Sequence, residues 1–193
     1  IPKSDMLMRE DLPVFCQNGF VAMVIGGQHL TKIMPIGKAV QVCQHLDYPV
    51  ILVGGTEDAS SGEAIVKAVG PTVYNSCGKL SLGQSASVLK LADVVITNDT
   101  GMMHIAAALH KRIISVWGNT VPEFGMYPYL PHDMEPAVII ENRTLRCRPC
   151  DKLGYDHCPQ GHFNCMETLD AKLIAEKTKA GLSPGLRSGT SGN

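Results

Sequence analysis

The stretch Val94-Val95-Ile96-Thr97-Asn98-Asp99-Thr100-Gly101-Met102-Met103-His104-Ile105-Ala106-Ala107-Ala108-Leu109 passes from a β-branched run into a helix-spaced one. Val94 to Ile96 read as a strand buried on both faces, whereas Met102, Ile105, Ala106 and Leu109 recur at the three-four spacing of one helix face. Asp99, Thr100 and Gly101 stand at the junction. A carboxylate at a strand end can accept from sugar hydroxyls. A hydroxyl and free N–H groups at a helix N-terminus can face a pyrophosphate. Asp99 and Thr100 also suit simple helix capping, and these residues alone leave both readings open. His104, one turn into the helix, reads by position as a structural histidine.

The same rhythm extends in both directions. Besides 93–97, strands are expected over 20–25, 50–53, 72–74 and 112–116, with a later one at 137–140. Helical spacing separates them: Ile36, Ala39, Val40, Cys43 and Leu46, with Pro35 at the first helical position; Ile65, Val66 and Val69; then Leu82, Ala86 and Leu89 after Ser81, an N-cap residue. A last helix is expected from about 169 to 179. Repeated strand-helix units with right-handed crossovers make an α/β fold, a Rossmann-like parallel sheet with flanking helices. Gly26-Gly27, Gly54-Gly55, Gly78, Gly101 and Gly118 each follow a strand. The glycines thus collect on the carboxyl edge, where open parallel sheets bind ligands. Residues 1–18 read as a lead-in or interdomain linker, 19–180 as the domain, and 181–193 as a flexible Gly/Ser-rich tail.

With 193 residues, 45% of them hydrophobic, the chain suits one well-buried domain. Its 17 basic and 18 acidic residues leave a net charge of −1, so general attraction to nucleic acid is not expected. No apolar run approaches the roughly 18 residues of a transmembrane helix, and the first residues lack signal-peptide features. A cytoplasmic protein is expected. There is no G-x-x-x-x-G-K-[ST] loop and no G-x-G-x-x-G fingerprint at the first strand, which argues against a P-loop NTPase and a common dehydrogenase, and no NAD or flavin is expected. H-E-x-x-H and G-x-S-x-G are also missing.

The string from Asp99 to Leu109, followed by Ser115-Val116-Trp117-Gly118-Asn119-Thr120-Val121-Pro122, closely resembles the signature of glycosyltransferase family 9, the lipopolysaccharide heptosyltransferases. Gly26-Gly27-Gln28-His29-Leu30-Thr31-Lys32-Ile33-Met34-Pro35 is similar to the family's lysine loop, Leu52-Val53-Gly54-Gly55-Thr56-Glu57-Asp58 to its Gly-x-Glu loop, and Gly78-Lys79-Leu80-Ser81-Leu82 to the segment before its fourth strand. The resemblance covers about residues 20–175 and implies the C-terminal, donor-binding domain of a two-domain GT-B glycosyltransferase.

It further implies an ADP-sugar donor. Lys32 would neutralise donor phosphate, Glu57 hold the ribose and Leu80 line the adenine pocket. Thr100 and Gly101 would bind the pyrophosphate, and Asp99 would contact the transferred sugar. Met102 and His104 join the binding set through the same motif. On this reading Lys32 and Asp99 lie on an exposed ligand edge.

The lysine loop departs from the family pattern at Gly27, Gln28 and Met34, where small hydroxyl residues and a tryptophan are common. The implied reaction is inverting transfer to a lipid-linked oligosaccharide acceptor held mainly by an N-terminal domain. The family's aspartate base lies in that domain and has no match here, so an incomplete active site is expected, cytoplasmic or peripheral at the inner membrane. The absence of Asp-x-Asp argues against an obligatory catalytic metal. A non-catalytic nucleotide-sugar-binding module and another GT-B enzyme, such as a sugar-nucleotide epimerase, are the alternatives.

Seven cysteines in this pattern do not make a secreted disulfide framework. Four of them, Cys147, Cys150, Cys158 and Cys165, fall within the segment 147–165 together with His157 and His162. That is ligand supply for a tetrahedral zinc, although the second pair is not Cys-x-x-Cys. Zinc, reduced thiols and a disulfide all fit the segment. The resemblance assigns it no necessary part in transfer.

Overall fold

The computed structural model describes residues 1–182. Six strands, β1 (Val21–Val24), β2 (Val50–Val53), β3 (Val73–Asn75), β4 (Val94–Asn98), β5 (Arg112–Trp117) and β6 (Val138–Glu141), form one sheet in the order β3-β2-β1-β4-β5-β6. All five pairings are parallel. Every residue of β1, β2 and β4 is buried, as expected of central strands covered on both faces. The six strands lie within one residue of the sequence expectation at each end.

Helices α1 (Ile36–Leu46), α2 (Ala59–Val69), α3 (Leu82–Leu91), α4 (Gly101–Ala108), α5 (Asn164–Glu167) and α6 (Ala171–Lys179) fill the connections and the C-terminal end. The core divides into two layers. In one, Ala39, Val42 and Leu46 of α1, Ile65 of α2 and Ile174 of α6 pack with Met23, Leu52, Ile96 and Ile114. In the other, Val88 and Leu89 of α3 and Ala106 of α4 pack with Ala22, Val24, Ile51 and Val95. Burying each of these larger aliphatic side chains contributes about 1.5–3 kcal/mol before conformational entropy is set against it. Trp117, fully buried, donates from Nε1 to Ser115 Oγ at 2.9 Å and so leaves no polar atom stranded.

Two local details differ from expectation. Pro35 is the N-cap of α1 rather than its first residue: its φ of −56° suits either position, but its ψ of 144° is extended. Residues 1–18 do not stand apart from the domain. Leu12 and Cys16 are buried in the second layer, Leu7 donates its N–H to Ser87 Oγ at 2.8 Å, and the Arg9 guanidinium donates to Leu91 O at 3.2 Å. At the other end Leu182 is buried, and the remainder of the tail expected over 181–193 lies outside the described residues.

The order β3-β2-β1-β4-β5-β6 reverses direction between β1 and β4. The loops after these two strands therefore diverge and leave a crevice at the carboxyl edge.

Candidate functional site

A cavity of about 840 Å³ fills this crevice. The glycines after β1 and β2, Gly26-Gly27 and Gly54-Gly55, form its floor, and Thr100 and Gly101, at the start of α4, form one wall. Lys32, Glu57, Leu80, Asp99, Thr100, Gly101, Met102 and His104 all line it, so the eight residues singled out in the sequence converge on one space. The volume is that of an ordinary small-molecule site.

Its polar centre is an ion pair. Lys32 Nζ lies 2.7 Å from Asp99 Oδ2, with side-chain exposures of 11% and 4%. Thr120 donates from Oγ1 to the same oxygen at 2.9 Å. These residues are therefore enclosed, not set on an exposed edge. An ammonium group has three donors, so Lys32 can keep Asp99 and still present N–H to a second anion.

The start of α4 is left open. Thr100 is its N-cap with extended backbone but makes no side-chain capping bond, and its buried Oγ1 has no hydrogen-bond partner. A Cβ added at Gly101 would meet no atom within 4 Å. The capping alternative for Asp99 and Thr100 thus does not hold: Asp99 is occupied by Lys32 and Thr120, and neither side chain caps the first turn of α4. His104 is exposed on the cavity wall and makes no hydrogen bond among the described residues, unlike the satisfied structural histidine suggested by its position.

Asp58 was not singled out in the sequence, where its neighbour Glu57 has the same chemistry. Glu57 is exposed; Asp58 is buried, and its Oδ2 accepts the Gly55 N–H at 2.8 Å. A Cβ at Gly26 or Gly54 would overlap the Asp58 carboxylate, so these glycines are required by close approach. Burial raises the Asp58 pKa above the usual carboxylate value, the nearby Glu57 charge adds to this, and the Gly55 hydrogen bond opposes it.

A second cavity of about 730 Å³ adjoins the first, sharing Gly27, Glu57 and Asp58, and extends to His157 and Cys158. All seven cysteines are free. Among the described residues no group of three or more His, Cys, Asp or Glu side chains is arranged to hold a metal ion. In the cysteine-rich segment Cys147 Sγ lies 4.0 Å from His162 Nε2. The four segment thiols are still neighbours. Burial, then the proximity of Cys147 and Cys158, raises the pKa of Cys150. Burial raises Cys165 to about 11.

No helix among the described residues is long and apolar enough to cross a membrane. The crevice at the switch point, floored by glycine turns and holding a lysine beside a helix N-terminus without a side-chain cap, marks a Rossmann-like α/β domain with a candidate ligand site at its carboxyl edge. The chain belongs to glycosyltransferase family 9 (heptosyltransferase), whose family model matches residues 21–154.

Lipooligosaccharide heptosyltransferase 2 of Haemophilus influenzae is 32% identical over 114 residues, a match covering 57% of this chain and 32% of that protein. Lipopolysaccharide heptosyltransferase 2 of Escherichia coli is 31% identical over 139 residues, covering 67% and 38%. The chain thus matches only about a third of the length of these curated relatives. The solved ADP-heptose lps heptosyltransferase II of E. coli superposes with a TM-score of 0.59 at 19% identity, over 93% of this chain and 53% of that one. The fold is accordingly that of one domain of a GT-B glycosyltransferase.

Proposed function

We propose that the chain binds an ADP-sugar donor in the crevice above β1, β2 and β4, as the donor half of a heptosyltransferase acting on a lipopolysaccharide-type acceptor. The observation that carries this reading is the Lys32–Asp99 pair, 2.7 Å apart, beside an uncapped α4 whose Thr100 hydroxyl lacks a partner. A diphosphate between Lys32 and the start of α4 would satisfy both.

Each residue has a task in that arrangement. Lys32 and the N–H groups at Thr100 and Gly101 stabilise the pyrophosphate as it departs, a contribution that grows as charge develops. Lys32 also screens the Asp99 carboxylate from the incoming anion. Asp99 Oδ1, which takes no hydrogen bond among the described residues, is free to accept from the transferred sugar. Glu57 reaches the ribose hydroxyls, while Leu80 and Met102 offer apolar surface to the adenine, with His104 at the rim.

The acceptor, a lipid-linked oligosaccharide, and the base that deprotonates its hydroxyl belong on this reading to an N-terminal domain, and the complete enzyme works at the cytoplasmic periphery of the inner membrane. A structural zinc on Cys147, Cys150, Cys158 and Cys165 is a further part of the proposal and requires these thiols to draw closer together. Elemental analysis tests it: zinc near zero in reduced, folded protein removes it.

Calorimetric titration with ADP-heptose, ADP, UDP and GDP tests the donor assignment. The adenine nucleotides are expected to bind preferentially, and equal affinity for all the diphosphates would overturn the assignment. A heptose-transfer assay on the 193-residue chain is expected to stay at background until an acceptor domain is supplied, because transfer needs acceptor and base held opposite the anomeric carbon.

A further inference from the structure

The cysteine-rich segment crosses the lysine loop and touches both partners of the central ion pair through intermediaries. On one side it meets Thr31, the residue before Lys32. Thr31 is 2% exposed; its N–H donates to Tyr155 O at 3.1 Å, its hydroxyl donates to the same carbonyl at 3.0 Å, and the hydroxyl accepts the Tyr155 N–H at 2.8 Å. The backbone N–H groups of Lys32 and Ile33 make only the short-range bonds of a single turn, to His29 O and Leu30 O; beyond the Lys32–Asp99 pair, the loop is held from outside by the Asn119 N–H on Thr31 O at 3.4 Å and by the Met34 N–H on Asn98 Oδ1 at 3.2 Å.

On the other side the segment meets the turn after β5. Arg148, buried and paired with Glu141 at 3.1 Å, donates to the carbonyls of Gly118 and of Thr120, the latter at 2.8 Å. Cys150 donates its N–H to Asn119 O at 3.0 Å. Thr120, fixed in this way, is the residue whose hydroxyl donates to Asp99. Between the two anchors the segment is shaped by Asp151, whose Oδ1 accepts the N–H groups of Leu153 at 2.6 Å and Gly154 at 2.9 Å. Gly154 has φ +121° and lies so close to His29 that a Cβ there would sit 2.7 Å from the His29 Cβ.

We infer that residues 148–155 are a positioning strap for the phosphate-side ion pair, holding Lys32 through Thr31 and Asp99 through Thr120. The inference rests on the donor-site reading and deepens it: the segment acts through its backbone and the Arg148 guanidinium, the Thr31 hydroxyl receiving the first, and its thiols are not required. Thr31, Thr120 and Arg148 are positioning residues that touch no donor atom themselves. The strap orders a cation that acts on phosphate, so its loss falls on nucleotide diphosphate and spares the nucleoside.

The test titrates the full chain with ADP and with adenosine. Thr31→Val keeps the side-chain shape and removes both hydroxyl bonds; it is expected to weaken ADP binding about tenfold and leave adenosine affinity unchanged. Thr31→Ser is expected to restore ADP binding. Asp151→Ala, at the exposed turn of the strap, is expected to weaken ADP severalfold with the same selectivity and without unfolding the core.

A folded Thr31→Val protein that binds ADP like the parent, or loses ADP and adenosine equally, overturns the strap. If Thr31→Val does not fold, unchanged ADP affinity in Asp151→Ala overturns it. If the parent binds no ADP, the donor-site reading fails instead, and amide hydrogen exchange then decides the strap. Faster exchange over residues 29–33 in Asp151→Ala upholds it, and unchanged exchange refutes it.

Discussion

Replacing Lys32 by Met tests whether the central pair is closed in solution. The substitution keeps the aliphatic stem but leaves Asp99 Oδ2 with only the Thr120 hydroxyl at 2.9 Å. Breaking a buried pair from one side costs about 3–5 kcal/mol, because the remaining charge is stranded. Here both residues line the cavity, so the lower end applies, and a loss of about 3 kcal/mol is expected. For a chain of this size that corresponds to a midpoint about 5–10 °C lower in thermal unfolding. Asp99→Asn in the Lys32→Met background removes the stranded charge and is expected to recover most of the loss, so the double-mutant cycle shows a coupling of about 2 kcal/mol. ADP affinity falls in both proteins by about 1.5–3 kcal/mol, since neither has the cation. A single variant that unfolds with the parent, together with zero coupling, would refute the closed pair and restore the exposed-edge picture in which Lys32 and Asp99 are altered at no cost to the fold.

The other predictions concern residues around this centre. Asp58 has a raised folded pKa, so the folded state holds its proton more tightly than the unfolded state does. Its contribution to stability therefore falls as pH rises from the ordinary carboxylate value through the raised one, and Asp58→Asn is expected to flatten that part of a pH-unfolding profile. Cys16, Cys43 and Cys77, each pushed by burial to about 12, are expected to resist alkylation at pH 8 while the protein is folded, as mass spectrometry would read. Ser81→Ala removes the side chain that accepts the Gln84 N–H at 3.1 Å in the capping box of α3, and denaturant unfolding is expected to show a loss of about 1 kcal/mol.

The strands were legible because their burial is local information: Val50 to Val53 and Val94 to Ile96 can be continuous apolar runs only where both faces are covered. The convergence of the glycines followed from the same rhythm, since parallel strands bring all their carboxyl ends to one edge. Partner choice within that edge was not legible. Lys32 meets Asp99 because β1 lies beside β4 in the sheet, an adjacency set by topology. Asp58 was hidden by Glu57 for a related reason. Two adjacent carboxylates look alike in sequence, and what separates them is the space left by the missing Cβ atoms of Gly26 and Gly54 on neighbouring loops. In the segment 147–165 the cysteines drew attention to their sulfurs, whereas the contacts that reach the site run through Arg148 and the backbone of Tyr155.

Helices α3 and α4 start near the same cavity, and their N-termini are treated in opposite ways. At α3, Ser81 and Gln84 satisfy each other's backbone N–H in a reciprocal capping box. At α4, the cap residue Thr100 has a hydroxyl suited to the same task, yet that hydroxyl is buried without a partner. Leaving out such a cap costs on the order of 1 kcal/mol, and a buried unpaired hydroxyl adds to that cost. Both cap residues have extended backbone, Ser81 at φ −66° and Thr100 at φ −143°, yet only Ser81 caps with its side chain, and the difference calls for a reason. A ligand gives one: an anion seated against α4 accepts from the N–H groups and the Thr100 hydroxyl together, while Lys32, already oriented by Asp99, supplies the countercharge. On the donor-site reading the uncapped helix end and the pre-formed ion pair are two parts of one preorganised site, and a bound diphosphate would engage both.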